Sequence, residues 1–236
     1  LFMSTETTEE IGSVAVGSGA DSTADRLLQQ WKVIAGVAVA VIAIVAGYWL
    51  YTSMQQSKNE EAAAALARVR ATFDASDFEG ALTGKGLPAI DGQPVSGLQA
   101  IVDQYASAPA GKVAAVMAGT CYLQIGKIAE ARTAFEAAQG SDSPVVQMGA
   151  LNGLGACAEA DKDFAGAADL YEQAAAAGAK SGLEARSLVY AGLAHEKAGN
   201  KEKAGETYRT VVKKFSSGDM SQPARAGLAR LGMRID

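Results

Sequence analysis

Apolar residues run without a charge from Val33 to Leu50 (VIAGVAVAVIAIVAGYWL), and the uncharged stretch extends to Ser57. As a helix these eighteen residues would cover roughly 27 Å, close to the ~30 Å hydrocarbon core of a bilayer. The chain before this run is polar, with Ser, Thr, Gly and acids dominating residues 1–30. Such a segment buries too little apolar surface to offset the entropy of ordering it, so an unstructured tail is expected over 1–24. A short helical lead-in at Asp25 opens the spanning segment, 25–53. After the span, residues 54–73 are strong helix formers with no Gly or Pro, and the helix is expected to leave the bilayer unbroken. Gly84, Gly86, Pro88, Gly92 and Pro94 then interrupt the pattern, so 54–95 reads as a membrane-proximal helix and an exposed connection. Gly84-Lys85-Gly86 lacks the spacing of a phosphate-binding loop. From 96 to 236 the pattern is helical throughout.

The apolar run fits a retained anchor better than a cleaved signal. Its leader is long and acidic, its core exceeds the 7–15 residues of a signal h-region, and bulky residues follow it. Trp31 at one end and Tyr48, Trp49 and Tyr51 at the other match the aromatic belts of membrane interfaces. Arg26 and Lys32 precede the span and Lys58 follows it, a bias toward a cytoplasmic N-terminus. Small residues four apart, Gly36 with Ala40 and Ala43 with Gly47, permit pairing of two copies into a homo-oligomer, although an Ala-rich span produces such spacing by chance as well.

The helical region repeats. Gly119, Gly155 and Gly192 are separated by 36 and 37 residues, as are Ala131, Ala167 and Ala204, and as are Phe135, Tyr171 and Tyr208. Within each unit the Ala and the aromatic lie four apart, on one face of a helix. This predicts helix–turn–helix hairpins in which the small residue admits a close helix crossing and the aromatic fills the groove toward the next hairpin. Ser143-Pro144 predicts a helix start with Pro at its first position. Ser96 with Gln99, and Ser181 with Glu184, have the spacing of capping boxes. Turns are expected at Gly126-Lys127, at Asp161 to Asp163 and at Gly199-Asn200. A closing helix is expected from about Gln222, carrying Arg230 and Arg234 on one face.

These units resemble tetratricopeptide repeats. Gly119, Gly126, Ala131, Phe135 and Ala138 occupy the matching positions in the first. The second departs at its turn, where Lys162-Asp163 replaces the Gly. The third has His195 where the first has Tyr122, and Val211 where the others have Ala138 and Ala174. The family's signature Trp is missing throughout. The resemblance implies an all-α chain, a single transmembrane helix followed by an α-solenoid of helix hairpins. The layout of short acidic tail, one span and C-terminal repeats, with DQYASAPAGKVAAVMAG before the first clear unit, is similar to the YfgM-like bacterial family. That resemblance implies an inner-membrane protein with periplasmic repeats, and partners among Sec translocon subunits and periplasmic chaperones.

Composition narrows the chemistry. A net charge of −5 argues against nucleic acid as a partner. Cys121, Cys157 and His195 are too few for a zinc site of Cys and His. The two cysteines occupy equivalent places in adjacent units, where stacked helices stand roughly 9–10 Å apart, so two free packed thiols are expected. His195 falls at a packing position, and no nucleophile or paired carboxylate has catalytic spacing. No catalytic residue, cofactor or metal is expected.

The concave face of the solenoid is the remaining candidate surface, with Val116, Thr120 and Gln124, then Asn152 and Glu159, then Val189 and Glu196. With Val116 and Thr120 at the first-unit positions of a Lys-and-Asn clamp, capture of a chain-terminal carboxylate is not expected. The mixed polar and apolar character suits a helix or an extended peptide, or a merely solvated groove. Near the C-terminus, Lys213, Lys214, Arg225, Arg230 and Arg234 form a basic face for an acidic partner or anionic headgroups, or a solvated one. The expected function is a membrane-anchored scaffold for protein translocation or periplasmic folding; the alternative is a structural subunit of another membrane assembly, such as a respiratory or photosynthetic complex.

Overall fold

Glycines at turns and prolines at helix starts divide the chain into ten α-helices among the described residues. The computed structural model describes residues 20–90 and 92–234. No strand occurs among them; Ile90 and Gln93 form one isolated antiparallel bridge. Two compact units meet at Ser53/Met54.

Helix α1 is Ala20–Asp74. The tail expected over 1–24 lies largely outside the described residues. In the first unit the large apolar side chains from Trp31 to Tyr51 are 52% to 71% exposed. The second unit begins inside α1, where Ala62, Ala65 and Val69 are buried. Ala65 and Val69 join the core of Leu82, Leu98, Ile101, Ala114 and Ala118, so this part of α1 packs with the hairpins. Two polar contacts reinforce it: Ala110 N–H donates to Asn59 Oδ1 at 2.8 Å, and the Tyr105 hydroxyl to Glu61 Oε2 at 3.3 Å.

The stretch from 76 to 94 holds more order than its Gly and Pro residues predict. Helix α2 (Phe78–Thr83) is capped by Asp77, whose carboxylate accepts from Gly80 N–H, and ends at Gly84 with φ +67°. Helix α3 (Leu98–Tyr105) starts after Gly97 without a side-chain cap, so Ser96 does not form the expected capping box. The backbone of Gly97 crosses that of Leu82 to Gly84 too closely for a Cβ, and this contact sets the helix start.

The hairpins follow as α4 (Pro109–Gln124) with α5 (Ile128–Ala138), α6 (Pro144–Ala160) with α7 (Phe164–Gly178), and α8 (Glu184–Lys197) with α9 (Lys201–Lys214). Pro144 opens α6 as expected. Ser181 lies in a short 3-10 turn, Ala179–Ser181, and Leu183 precedes α8, so the second expected capping box is absent. The three hairpin turns share one left-handed residue: Gly126 (φ +78°), Lys162 (φ +64°) and Gly199 (φ +81°). Lys162 therefore adopts the strained conformation that glycine adopts freely.

The spacing between small residue and aromatic has a direct physical cause. A Cβ on Gly119 would stand 2.7 Å from the Phe135 ring, on Gly155 2.6 Å from Tyr171, and on Gly192 2.4 Å from Tyr208. Each ring also meets the next unit. Phe135 lies against Gly153 and Tyr208 against Gly227. Tyr190 stands at the corresponding place in the third unit and packs against Tyr171, ring centroids 5.4 Å apart. Helix α10 (Ser221–Arg230) thus continues the register, with Ala229 standing 37 residues after Gly192. It ends at Arg230, and Gly232 turns the chain at φ +69°, so Arg234 does not share its helical face as expected.

Candidate functional site

The expected groove residues lie on α4, α6 and α8, the first helices of the three hairpins. Packing divides them. Gln124 is exposed at the end of α4; Val116 is half-buried, and Thr120, also half-buried, donates its hydroxyl to Val116 C=O at 2.9 Å. Glu159 Oε2 accepts from Lys197 Nζ at 2.7 Å, tying α6 to α8. Glu196 Oε1 accepts from the Tyr208 hydroxyl at 2.6 Å and from Arg230 Nη2 at 2.8 Å, and Oε2 accepts from Arg230 Nε at 3.2 Å. Glu196 therefore fastens α8 to α9 and α10. Val189 is buried at 4% exposure in the core with Ala204, Tyr208 and Leu228. It is not a surface residue, because α9 and α10 close over that side of α8.

Asn152 belongs to a cavity of about 490 Å³ between α6, α8 and the segment leading into α10. Met148, Arg186, Ser187 and Met220 line it with Asn152. Asn152 Oδ1 and Ser187 Oγ are buried there without a hydrogen-bond partner. Repeat periodicity does not reveal these neighbours. Arg186 and Ser187 sit at the start of α8, one turn before the expected groove position Val189, and Met220 arrives from a connection whose path no periodicity predicts.

The expected basic face is divided as well. Lys214 pairs with Glu184, and Arg230 pairs with Glu196. Glu184 is almost fully buried. Burial alone would raise its carboxyl pKa, but the hydrogen bond and charge of Lys214 and its own backbone N–H outweigh burial and hold it below the ordinary value of 4.5. Arg225 Nε donates to Ser221 Oγ at 3.3 Å. Arg234 lies past α10, its carbonyl accepting from Arg209 Nε at 3.4 Å. Lys213 is exposed. Two of the five cations are thus held by carboxylates, which removes the continuous basic face.

The histidine and both cysteines are buried. His195 is buried, its Nε2 2.9 Å from Glu172 Oε1. Cys121 and Cys157 are free and buried. Burial pushes the Cys121 thiol up to about 11. Burial also raises Cys157, against the opposing charge of Arg132. Asp161 pairs with Arg132 at 2.6 Å, and Asp163 caps α7 by accepting from Gly166 N–H. Among the described residues no group of three or more His, Cys, Asp or Glu is placed to hold a metal ion.

At the expected membrane interface, Trp31, Tyr48, Trp49 and Tyr51 are 69%, 69%, 66% and 62% exposed. The segment from Val33 on is long and apolar enough to cross a membrane, and none of its most apolar window is buried.

Residues 116–182 match a family model for the tetratricopeptide repeat, and residues 186–217 match a second model of the same description. No curated protein matches the chain. The two matches run from within α4 to just past the end of α9, so the hairpins are similar to tetratricopeptide repeats.

Proposed function

We propose that this chain is a membrane-anchored scaffold whose repeats hold other proteins at a bacterial inner-membrane complex. The observation that carries the proposal is the exposure of Val33 to Leu50: a charge-free run of bulky apolar side chains, all more than half exposed, has no stable place in water. Tetratricopeptide repeats generally act as non-enzymatic protein-binding scaffolds, which fits the structural use of His195, Cys121 and Cys157. The similarity in layout to YfgM-like proteins supports translocon subunits or periplasmic chaperones as the partners. The two positive charges before the span against one after it support a cytoplasmic N-terminus and periplasmic repeats.

Affinity purification of the full chain from membranes in a mild detergent tests this reading. Recovery of translocon subunits or periplasmic chaperones is the expected result. Stable recovery of a respiratory or photosynthetic complex instead would assign the chain to a different assembly.

A further inference from the structure

Between α3 and α5, over α4, lies an open trough of about 480 Å³, within the size range of side-chain and ligand pockets. Its apolar floor includes Ala118 of α4 and Ala134 of α5. The repeat register explains why it is open. Thirty-six residues on, the places of Ala118 and Ala134 are taken by Leu154 and Leu170. Those two leucines pack together with Ala131 and Phe135 and fill the equivalent site of the next unit. Each Leu-to-Ala difference removes an isopropyl group, so the missing volume in the first unit has the shape of a branched aliphatic side chain.

The walls have one sign of charge. Asp103 on α3 and Glu130 on α5 both line the trough, and no Lys or Arg does. Both carboxylates bear on Tyr122, whose hydroxyl donates to Gln99 Oε1 at 3.0 Å at this site. Burial raises the Tyr122 phenol first, and the charges of Glu130 and Asp103 raise it further. Among the described residues neither carboxylate has an ion-pair partner within the chain. The chain's own N-terminal segment does not suit the trough: residues 1–25 carry Glu6, Glu9, Glu10, Asp21 and Asp25 and no Lys or Arg, so like charges would meet.

We propose that this trough receives an amphipathic segment of a partner protein, placing a large aliphatic side chain over Ala118 and Ala134 and a lysine or arginine between Asp103 and Glu130. The site lies on the α3/α5 side of α4, apart from the α6/α8 cavity that contains Asn152. It rests on the scaffold reading only in that the occupant is a protein, and the test below needs no membrane partner. Its failure would remove this trough and leave the anchored scaffold standing.

The full chain in zwitterionic lipid nanodiscs is titrated with a fluorescent, helix-forming peptide that carries one Leu with a Lys one turn away on each side; empty nanodiscs are the blank. Saturable binding is expected, falling at least about tenfold when the peptide Leu becomes Ala. Combining Asp103→Asn with Glu130→Gln is expected to weaken binding about fivefold, with the largest loss at low salt. Ala134→Leu imports the side chain found in the next unit and is expected to abolish binding while leaving helix content unchanged. If that variant loses helix content, the carboxylate pair, both of whose side chains are exposed, carries the test. Equal binding of a peptide with Glu in place of Lys, wild-type affinity of folded Ala134→Leu, or no saturable binding up to millimolar peptide would each overturn the proposal. Self-association of the full chain that Ala134→Leu abolishes would overturn it too, by making a second copy the occupant.

Discussion

The Phe135 ring packs so closely over Gly153 that a methyl group on that glycine would stand 2.3 Å from ring carbons Cε1 and Cζ. A methyl group on Gly119, from another helix, would stand 2.7 Å from the same ring, so one aromatic joins two consecutive hairpins. Gly153→Ala is expected to lower stability by about 1–3 kcal/mol through overpacking. Adding Phe135→Leu should recover part of that loss, because the smaller side chain makes room. Urea unfolding of the two variants and the double variant measures the coupling.

Lys162 holds a left-handed conformation where the neighbouring units have Gly126 and Gly199. Lys162→Gly should raise stability by about 0.5–1 kcal/mol, since relief of the Cβ clash exceeds the extra chain entropy of glycine. Gly126→Ala should act in the opposite direction. Thermal melting of both variants reads the signs directly.

The two thiols are buried, and their raised pKa values keep them protonated at neutral pH. Cys121 and Cys157 should therefore resist a thiol reagent in the folded protein and react fully in denaturant. The measurement is labelling followed by intact mass, with and without denaturant. Rapid labelling of either residue in the folded state would contradict the packing described.

Glu184 and Lys214 give a pH dependence of known sign. The folded carboxyl is held below its unfolded value, so its contribution is present above 4.5 and is lost as pH falls through the lower folded value. Lys214→Met should cost about 1–2 kcal/mol at pH 7, because it leaves a buried carboxylate without its partner. The difference from wild type should shrink below that carboxyl range. Denaturation midpoints for both proteins at pH 7 and at low pH provide the check.

The repeat architecture was readable because it depends on volume at fixed spacing. Gly119, Gly155 and Gly192 are small where a ring must approach, and the rings recur sixteen residues later. Helix α2 was not readable, because its six residues lie among glycines and prolines and are held by tertiary contacts of Leu82. The capping boxes at Ser96 and Ser181 had the right spacing, but backbone crossings at Gly97 and the 3-10 turn moved the helix starts. The candidate surface was less legible for a related reason. Periodicity places Val189 and Glu196 on α8, but it does not say that α9 and α10 bury the first and engage the second. Likewise Lys214 and Arg230 read as free cations until the fold brings Glu184 and Glu196 to them.

Retention of Val33 to Leu50 as an anchor for the repeats is read from the intact mass of the protein recovered from membranes after alkaline washing. The chain is expected to stay with the membrane, with a mass that includes residues 31–51. A soluble protein whose mass begins after that segment would show it to be a cleaved signal, not an anchor.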